Sequence, residues 1–78
     1  MIVYVKEVEP REDYKLLLTF ENGEKKLFDC SNLLEYKINE PLKNKNFFCS
    51  AHVKYGTVVW NEKIDIAPEQ LYEEGTPL

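Results

Sequence analysis

The stretch that decides the fold is Tyr14-Lys15-Leu16-Leu17-Leu18-Thr19-Phe20, then Glu21-Asn22-Gly23-Glu24, then Lys25-Lys26-Leu27-Phe28-Asp29. Two apolar runs flank an Asn-Gly pair, the strongest short-range signal for a β-hairpin. Asn tolerates a positive φ, and Gly meets no steric penalty there. Two registers are open. A two-residue loop sets Leu18 opposite Leu27 and Leu17 opposite Phe28. A type I turn with a bulge at Gly23 sets Leu16 opposite Phe28 and Leu17 opposite Leu27. A slip of one residue exchanges the two faces of the hairpin. The bulged form is preferred, because it gathers Leu16, Leu18, Phe20 and Phe28 on one face.

Upstream, Ile2 to Glu9 is β-branched and alternates towards its end, so it reads as a first strand stopped by Pro10. Arg11-Glu12-Asp13 is a polar turn. Downstream, Ser31 is a good cap for a short helical turn over Asn32 to Glu35. Asn39-Glu40-Pro41-Leu42 repeats that grammar and opens a helix through Leu42, Phe47 and Phe48, with a break near Asn44-Lys45-Asn46. Ala51 to Tyr55 and Thr57 to Trp60 form a second hairpin about Tyr55-Gly56, with Val53 facing Val58. Ile64 to Ile66 is a brief extended segment. Pro68 opens a last helix, with Glu69 in its first turn complementing the helix dipole. Three strands, one or two helices, two strands and a helix indicate an α+β domain. The expected order is β-β-β-α(-α)-β-β-α, one small antiparallel sheet with its helices on one face.

Composition sets the outer bounds. The chain has 78 residues, 44% hydrophobic and 31% charged, so it is read as one domain spanning residues 1–78. No apolar run approaches the roughly 18 to 20 residues of a membrane-spanning helix. No export signal is visible at the amino terminus, so a cytoplasmic location is expected. A domain this short buries only about 60% of its unfolded surface, which favours work at the surface over a deep catalytic cavity. The net charge is −4, which argues against global attraction to nucleic acid or anionic lipid. The charge is uneven: Lys37 to Lys63 carries an excess of three positives, whereas Ile64 to Leu78 has four acids and no base.

Candidate chemistry is sparse. Cys30 and Cys49 read as reduced thiols filling the core or its margin, and with His52 alone they make no zinc constellation. Cys49 and His52 could pair as nucleophile and base only on a helix, whereas His52 is placed at a strand start. Asp29 and Asp65 stand beside large apolar residues and could do acid–base work if they met. The better reading makes them caps. Asp29 would bond the N–H groups opening the first helical turn, and Asp65 an Asx-type turn into the last helix. Trp60 is either core or, with Tyr55, Lys54 and Lys63, a stacking platform for single-stranded nucleic acid. No phosphate-binding, nucleophile-elbow or zinc-protease motif occurs, so no cofactor or metal is expected.

The hairpin residues 14–24, Phe28-Asp29, Gly56-Thr57-Val58-Val59-Trp60 and Ile64-Asp65-Ile66-Ala67-Pro68-Glu69-Gln70-Leu71-Tyr72 together resemble the bacterial family called domain of unknown function 2442. The family usually shows Pro and Gly in the turn after the Trp, where this chain has Asn61-Glu62-Lys63. The resemblance implies a small α+β domain with no established activity. It also implies neighbourhood with another family, domain of unknown function 4160, in an arrangement like a toxin–antitoxin pair.

The sequence therefore points to a non-enzymatic interaction module. Its expected partner is a protein, such as a member of the domain of unknown function 4160 family, or a second copy joined at a sheet edge. The strand from Ile2 to Val8 is the expected edge. Tyr55, Trp60, Lys54 and Asp65 are the candidate contact residues. A nucleic-acid-associated domain, and a small enzyme using Asp29, Asp65 or Cys49 and His52, are the alternatives.

Overall fold

The structure is a computed structural model that describes residues 2–11, 13–61 and 63–78. Glu12 of the first polar turn and Glu62 of the turn after Trp60 lie outside the described residues. Along strand β2 (Lys15–Phe20), strict alternation sorts side chains onto two faces. Leu16, Leu18 and Phe20 are wholly buried, whereas Lys15, Leu17 and Thr19 stay half-buried on the other side. Strand β3 (Lys25–Asp29) pairs Leu16 with Phe28 and Leu17 with Leu27, the bulged register. The turn shows why. Gly23 adopts φ +90°, its N–H donates to Phe20 O at 3.0 Å, and Phe20 N–H donates to Glu24 O at 2.9 Å. That is a type I turn closed by a left-handed bulge residue.

Strand β1 (Val5–Pro10) lies antiparallel on the other side of β2 and is an edge strand. It starts later than the sequence suggests and includes Pro10, which an edge position tolerates. At the opposite edge a two-residue strand, β7 (Thr76–Pro77), pairs with β3, an element that the sequence does not announce.

The expectation of a single sheet is corrected. Strands β4 (His52–Lys54), β5 (Thr57–Val59) and β6 (Asp65–Ile66) form a separate three-stranded antiparallel sheet. The reason lies in the edge that would have to receive them. The β1 ladder is broken by a register shift between Val5 and Glu7, and Pro10 has no N–H to offer. Val5 N–H instead donates to Gly56 O at 2.8 Å, at the tip of the β4–β5 hairpin. The Tyr4 ring fills the space beside Gly56, and a Cβ there would fall 2.5 Å from it. The small sheet thus docks end-on against β1. As expected, Val53 faces Val58.

The middle helices are shorter and tighter than expected. Ser31–Glu35 and Lys37–Lys43 are 3₁₀ segments, the second containing Pro41. Asn39 does not cap it; its Nδ2 donates to Leu33 O at 3.0 Å. The break near Asn44 is present, and Asn44 is the capping residue. Its Oδ1 accepts from Asn46 N–H and Phe47 N–H to start helix α1 (Lys45–Phe48). Helix α2 (Pro68–Glu74) opens at Pro68. Leu16, Leu18, Phe20 and Phe28 meet Leu42, Phe48, Val58, Trp60, Ile66 and Leu71 in one core cluster shared by both sheets and the helices. The fold is α+β, with its antiparallel strands divided between two small sheets.

Helix α2 is fastened by polar groups as well as by Leu71. Lys26 is almost buried, and its ammonium donates to Tyr72 O at 2.5 Å while standing 3.7 Å from the Tyr72 ring centroid. A cation at the carbonyl end of a helix and over an aromatic face is favourable on both counts. Tyr72 packs edge-on against Phe20 at 5.1 Å, and its hydroxyl donates to the Glu24 carboxylate. That bond holds the Glu24 carboxyl below its usual range and raises the Tyr72 phenol. Tyr72 closes the motif that carries the family resemblance, and its place in this latch accounts for it structurally.

Candidate functional site

The β4–β5 hairpin turns at Tyr55 and Gly56, with φ +56° and +76°. Two left-handed residues in a two-residue loop make a type I′ turn, whose twist matches the strands it joins. Gly suits that conformation; Tyr does not, because its Cβ crowds the backbone at a cost of roughly 1–2 kcal/mol. Tyr55 is nevertheless 85% exposed, and the Lys54 ammonium stands 5.2 Å from its ring centroid.

Register then fixes what lies beside it. His52 pairs with Val59, and Val59 pairs with Asp65, so these three form one row across the small sheet. Period-two alternation puts Lys54 and Thr57 on the same face and turns Val53, Val58 and Ile66 to the core. The row floors a shallow, open cleft of about 330 Å³ lined by His52, Lys54, Tyr55, Val59, Asn61 and Asp65. Asn61 is held by its own turn, its Oδ1 accepting from Lys63 N–H and Ile64 N–H at 2.8 and 2.9 Å. His52 Nδ1 lies 3.1 Å from Ser50 O.

Three of the four residues singled out in the sequence, Lys54, Tyr55 and Asp65, therefore meet at one surface. Trp60 does not join them. It is 5% exposed, donates from Nε1 to Phe48 O at 2.9 Å and packs on the Phe48 ring at 5.8 Å. A buried ring with its one donor satisfied cannot serve as a stacking platform, so Trp60 is corrected to a core residue. His52 and Val59 join the site through the hairpin register, a signal already present in the Val53–Val58 pairing. Asn61 was missed; an Asn directly after the hairpin, able to close an Asx turn, was the available signal.

The other candidates disperse. Asp29 Oδ1 accepts from Ser31 N–H at 2.8 Å, and hydrogen bonds from Ser31 hold its carboxyl below the usual range. It caps, as read from the sequence. Asp65 does not: Ala67 is the residue ahead of α2, with no side-chain cap, and Asp65 is exposed on the cleft. Cys30 is buried, and that burial, with Asp29 nearby, pushes its thiol up to about 12, which makes it a poor nucleophile. Cys49 ends α1 at the surface rather than filling the core, and it does not line the cleft that His52 faces. Among the described residues no group of three or more His, Cys, Asp or Glu side chains could hold a metal ion. No helix among them is long and apolar enough to cross a membrane.

Fold and site together define a small α+β domain whose recessed polar surface sits beside a strained, exposed aromatic. Residues 5–77 match the family described as Protein of unknown function (DUF2442), and the chain belongs to that family. Neither the curated proteins nor the solved structures offer a match.

Proposed function

We propose that this protein is a non-enzymatic interaction module that receives a protein partner on the outer face of β4–β5–β6, with Tyr55 as the anchor. The observation that carries this reading is the left-handed, 85% exposed Tyr55 beside the His52–Val59–Asp65 row. Strain held at a solvent-facing aromatic has no return inside the fold, and such sites cluster where a molecule meets something else. Tyr also contributes much contact area for few rotatable bonds, which suits an interface centre. Lys54, His52, Asn61 and Asp65 supply the polar rim.

The non-enzymatic part rests on the disposition of the reactive groups. Asp29 is engaged by Ser31, the Cys30 thiol is held protonated, and the imidazole of His52 is turned to the Ser50 carbonyl. The family resemblance supplies the partner class: a member of the domain of unknown function 4160 family, in a pair of toxin–antitoxin type. Co-expression with such a partner tests this. The expected result is co-purification at fixed stoichiometry, lost in Tyr55→Asn although the variant melts as sharply as the parent. Undiminished binding by Tyr55→Asn removes the proposed anchor. Oligonucleotide binding at physiological salt that weakens in Lys54→Ala would move the assignment to nucleic acid.

A further inference from the structure

A second surface runs along the free edge of the small sheet. Strand β6 closes that sheet, with no strand beyond it among the described residues. Trp60 N–H donates to Ile64 O at 3.0 Å, so Ile64 and Ile66 make the hydrogen-bonded pairs with β5. Asp65 sits between them, and its N–H and C=O point away from β5. Lys63 C=O and Ala67 N–H face the same way by alternation. None of these four groups is hydrogen-bonded to another described backbone group. Beside the edge lies a groove of about 300 Å³, lined by Leu33, Ile38 and Leu42 from the 3₁₀ segments and by Ile64 and Ile66 from the edge itself. Ile38 is 69% exposed and belongs neither to the core nor to the side chains packed against it. An unpaired strand edge beside an apolar groove is a template for a further strand.

Charge order says which strand fits. Lys63 and Asp65 are the charged residues lining the groove, and both are exposed. Lys37, Glu40, Lys43 and Glu69 on the flanking segments are exposed outside that lining, and Glu62 lies outside the described residues. Directly opposite residues of an antiparallel pair meet on one face. An added strand therefore needs an acid opposite Lys63, an apolar residue opposite Ile64 and a base opposite Asp65. Read antiparallel, that order is basic, apolar, acidic, and Lys63-Ile64-Asp65 itself supplies it. We infer that β6 pairs with β6 of a second copy about a two-fold axis through Ile64, joining the two small sheets into one. Asp65 N–H of each copy then donates to Lys63 C=O of the other, and each Lys63 stands opposite an Asp65. The neighbouring registers fail. Centring on Asp65 sets the two acids against each other, and centring on Ile66 puts Ile64 opposite Pro68, where α2 begins. The pairing is isologous and short, so the dimer is weak and concentration-dependent. It covers Ile38, and it extends the cleft row of His52, Val59 and Asp65 by Lys63 of the second copy.

The test is sedimentation equilibrium from micromolar to millimolar protein, read beside amide hydrogen exchange. The expected result is a monomer–dimer equilibrium in which Asp65 N–H gains protection as protein concentration rises. Lys63→Asp and Asp65→Lys each weaken the dimer about tenfold or more, since each change acts twice across the axis. The double swap Lys63→Asp with Asp65→Lys restores it, because both ion pairs are re-formed with their signs exchanged. The swap guards against loss of folding, since restored association requires the fold. A chain that stays monomeric at millimolar concentration overturns the inference. So does a dimer that the double swap fails to restore, or one in which Asp65 N–H exchanges as freely as in the monomer. Protection of Asp65 N–H that arises only when another protein is added gives the edge to that protein and overturns the second copy. None of these outcomes bears on Tyr55, which takes no part in the edge.

Discussion

Two tyrosines in this protein occupy left-handed backbone, and their surroundings are opposite. Tyr14 has φ +62° and Tyr55 has φ +56°. Tyr14 closes the β1–β2 turn in the same way that Gly23 closes the β2–β3 turn. Its N–H donates to Arg11 O at 3.2 Å, while Arg11 N–H donates to Lys15 O at 2.8 Å. A tyrosine therefore stands where the neighbouring hairpin has a glycine. Its strain is offset at once: the ring meets Phe48 edge-on at 5.3 Å, and the hydroxyl donates to Lys43 O at 2.5 Å. Those contacts tie the first hairpin to the end of the second 3₁₀ segment. Tyr55 has the same backbone and none of those contacts. A strained residue that anchors the core is explained by the fold; one that projects into solvent is explained only by what it meets there.

The same substitution at the two sites should move stability in opposite directions. Asn visits left-handed backbone routinely, so Tyr→Asn relieves strain at both positions. At position 14 it also removes an aromatic pair, a long-range hydrogen bond and a half-buried ring, and the net loss should be about 2–3 kcal/mol. In a domain of this size, whose total stability is roughly 3–5 kcal/mol, urea denaturation would then find Tyr14→Asn close to unfolded. A neutral result at position 14 would break the comparison. At position 55 the variant should be more stable than the parent by about 0.5–1 kcal/mol. A loss there would mean that Tyr55 supports the fold after all, and the proposed anchor would lose its physical basis.

The contrast also shows what could be read from the sequence. The Asn22-Gly23 hairpin, its bulged register and the Val53–Val58 pairing were legible because both determinants are local: a turn that needs positive φ and a period-two apolar pattern. The Tyr14 corner was not, because tyrosine is among the residues least expected at positive φ, and only the distant Phe48 and Lys43 make it tolerable. The division into two sheets was hidden for a similar reason. Nothing in Val5-Lys6-Glu7 announces a register shift, yet that shift blunts the edge on which a single sheet depended. Trp60 could be read either way until Phe48 O supplied its partner. Lys54 and Tyr55 were read together and Asp65 apart from them; only the β5 strand, standing between β4 and β6, makes the three one surface.

The smallest predicted effect is the sharpest on the site itself, and it again sets an engaged group against a free one. Asp29 and Asp65 look alike in sequence, each beside large apolar residues and just ahead of a helical segment. Asp29 accepts the Ser31 N–H, so Asp29→Ala should cost about 0.5–1 kcal/mol, the lower end of a cap because the carboxylate is exposed. Its carboxyl titrates below the usual 3.8 in the folded state, so this contribution is present above that range and is lost as pH falls through the lowered value. Asp65 has no such tie to α2, and Asp65→Ala should change the urea midpoint by less than about 0.5 kcal/mol at neutral pH. A cost equal to that of Asp29→Ala would show that Asp65 holds the last helix. A neutral Asp65→Ala that still weakens partner binding would show a charge kept at the surface for a purpose outside the fold, which is the distinction the two tyrosines draw in backbone strain.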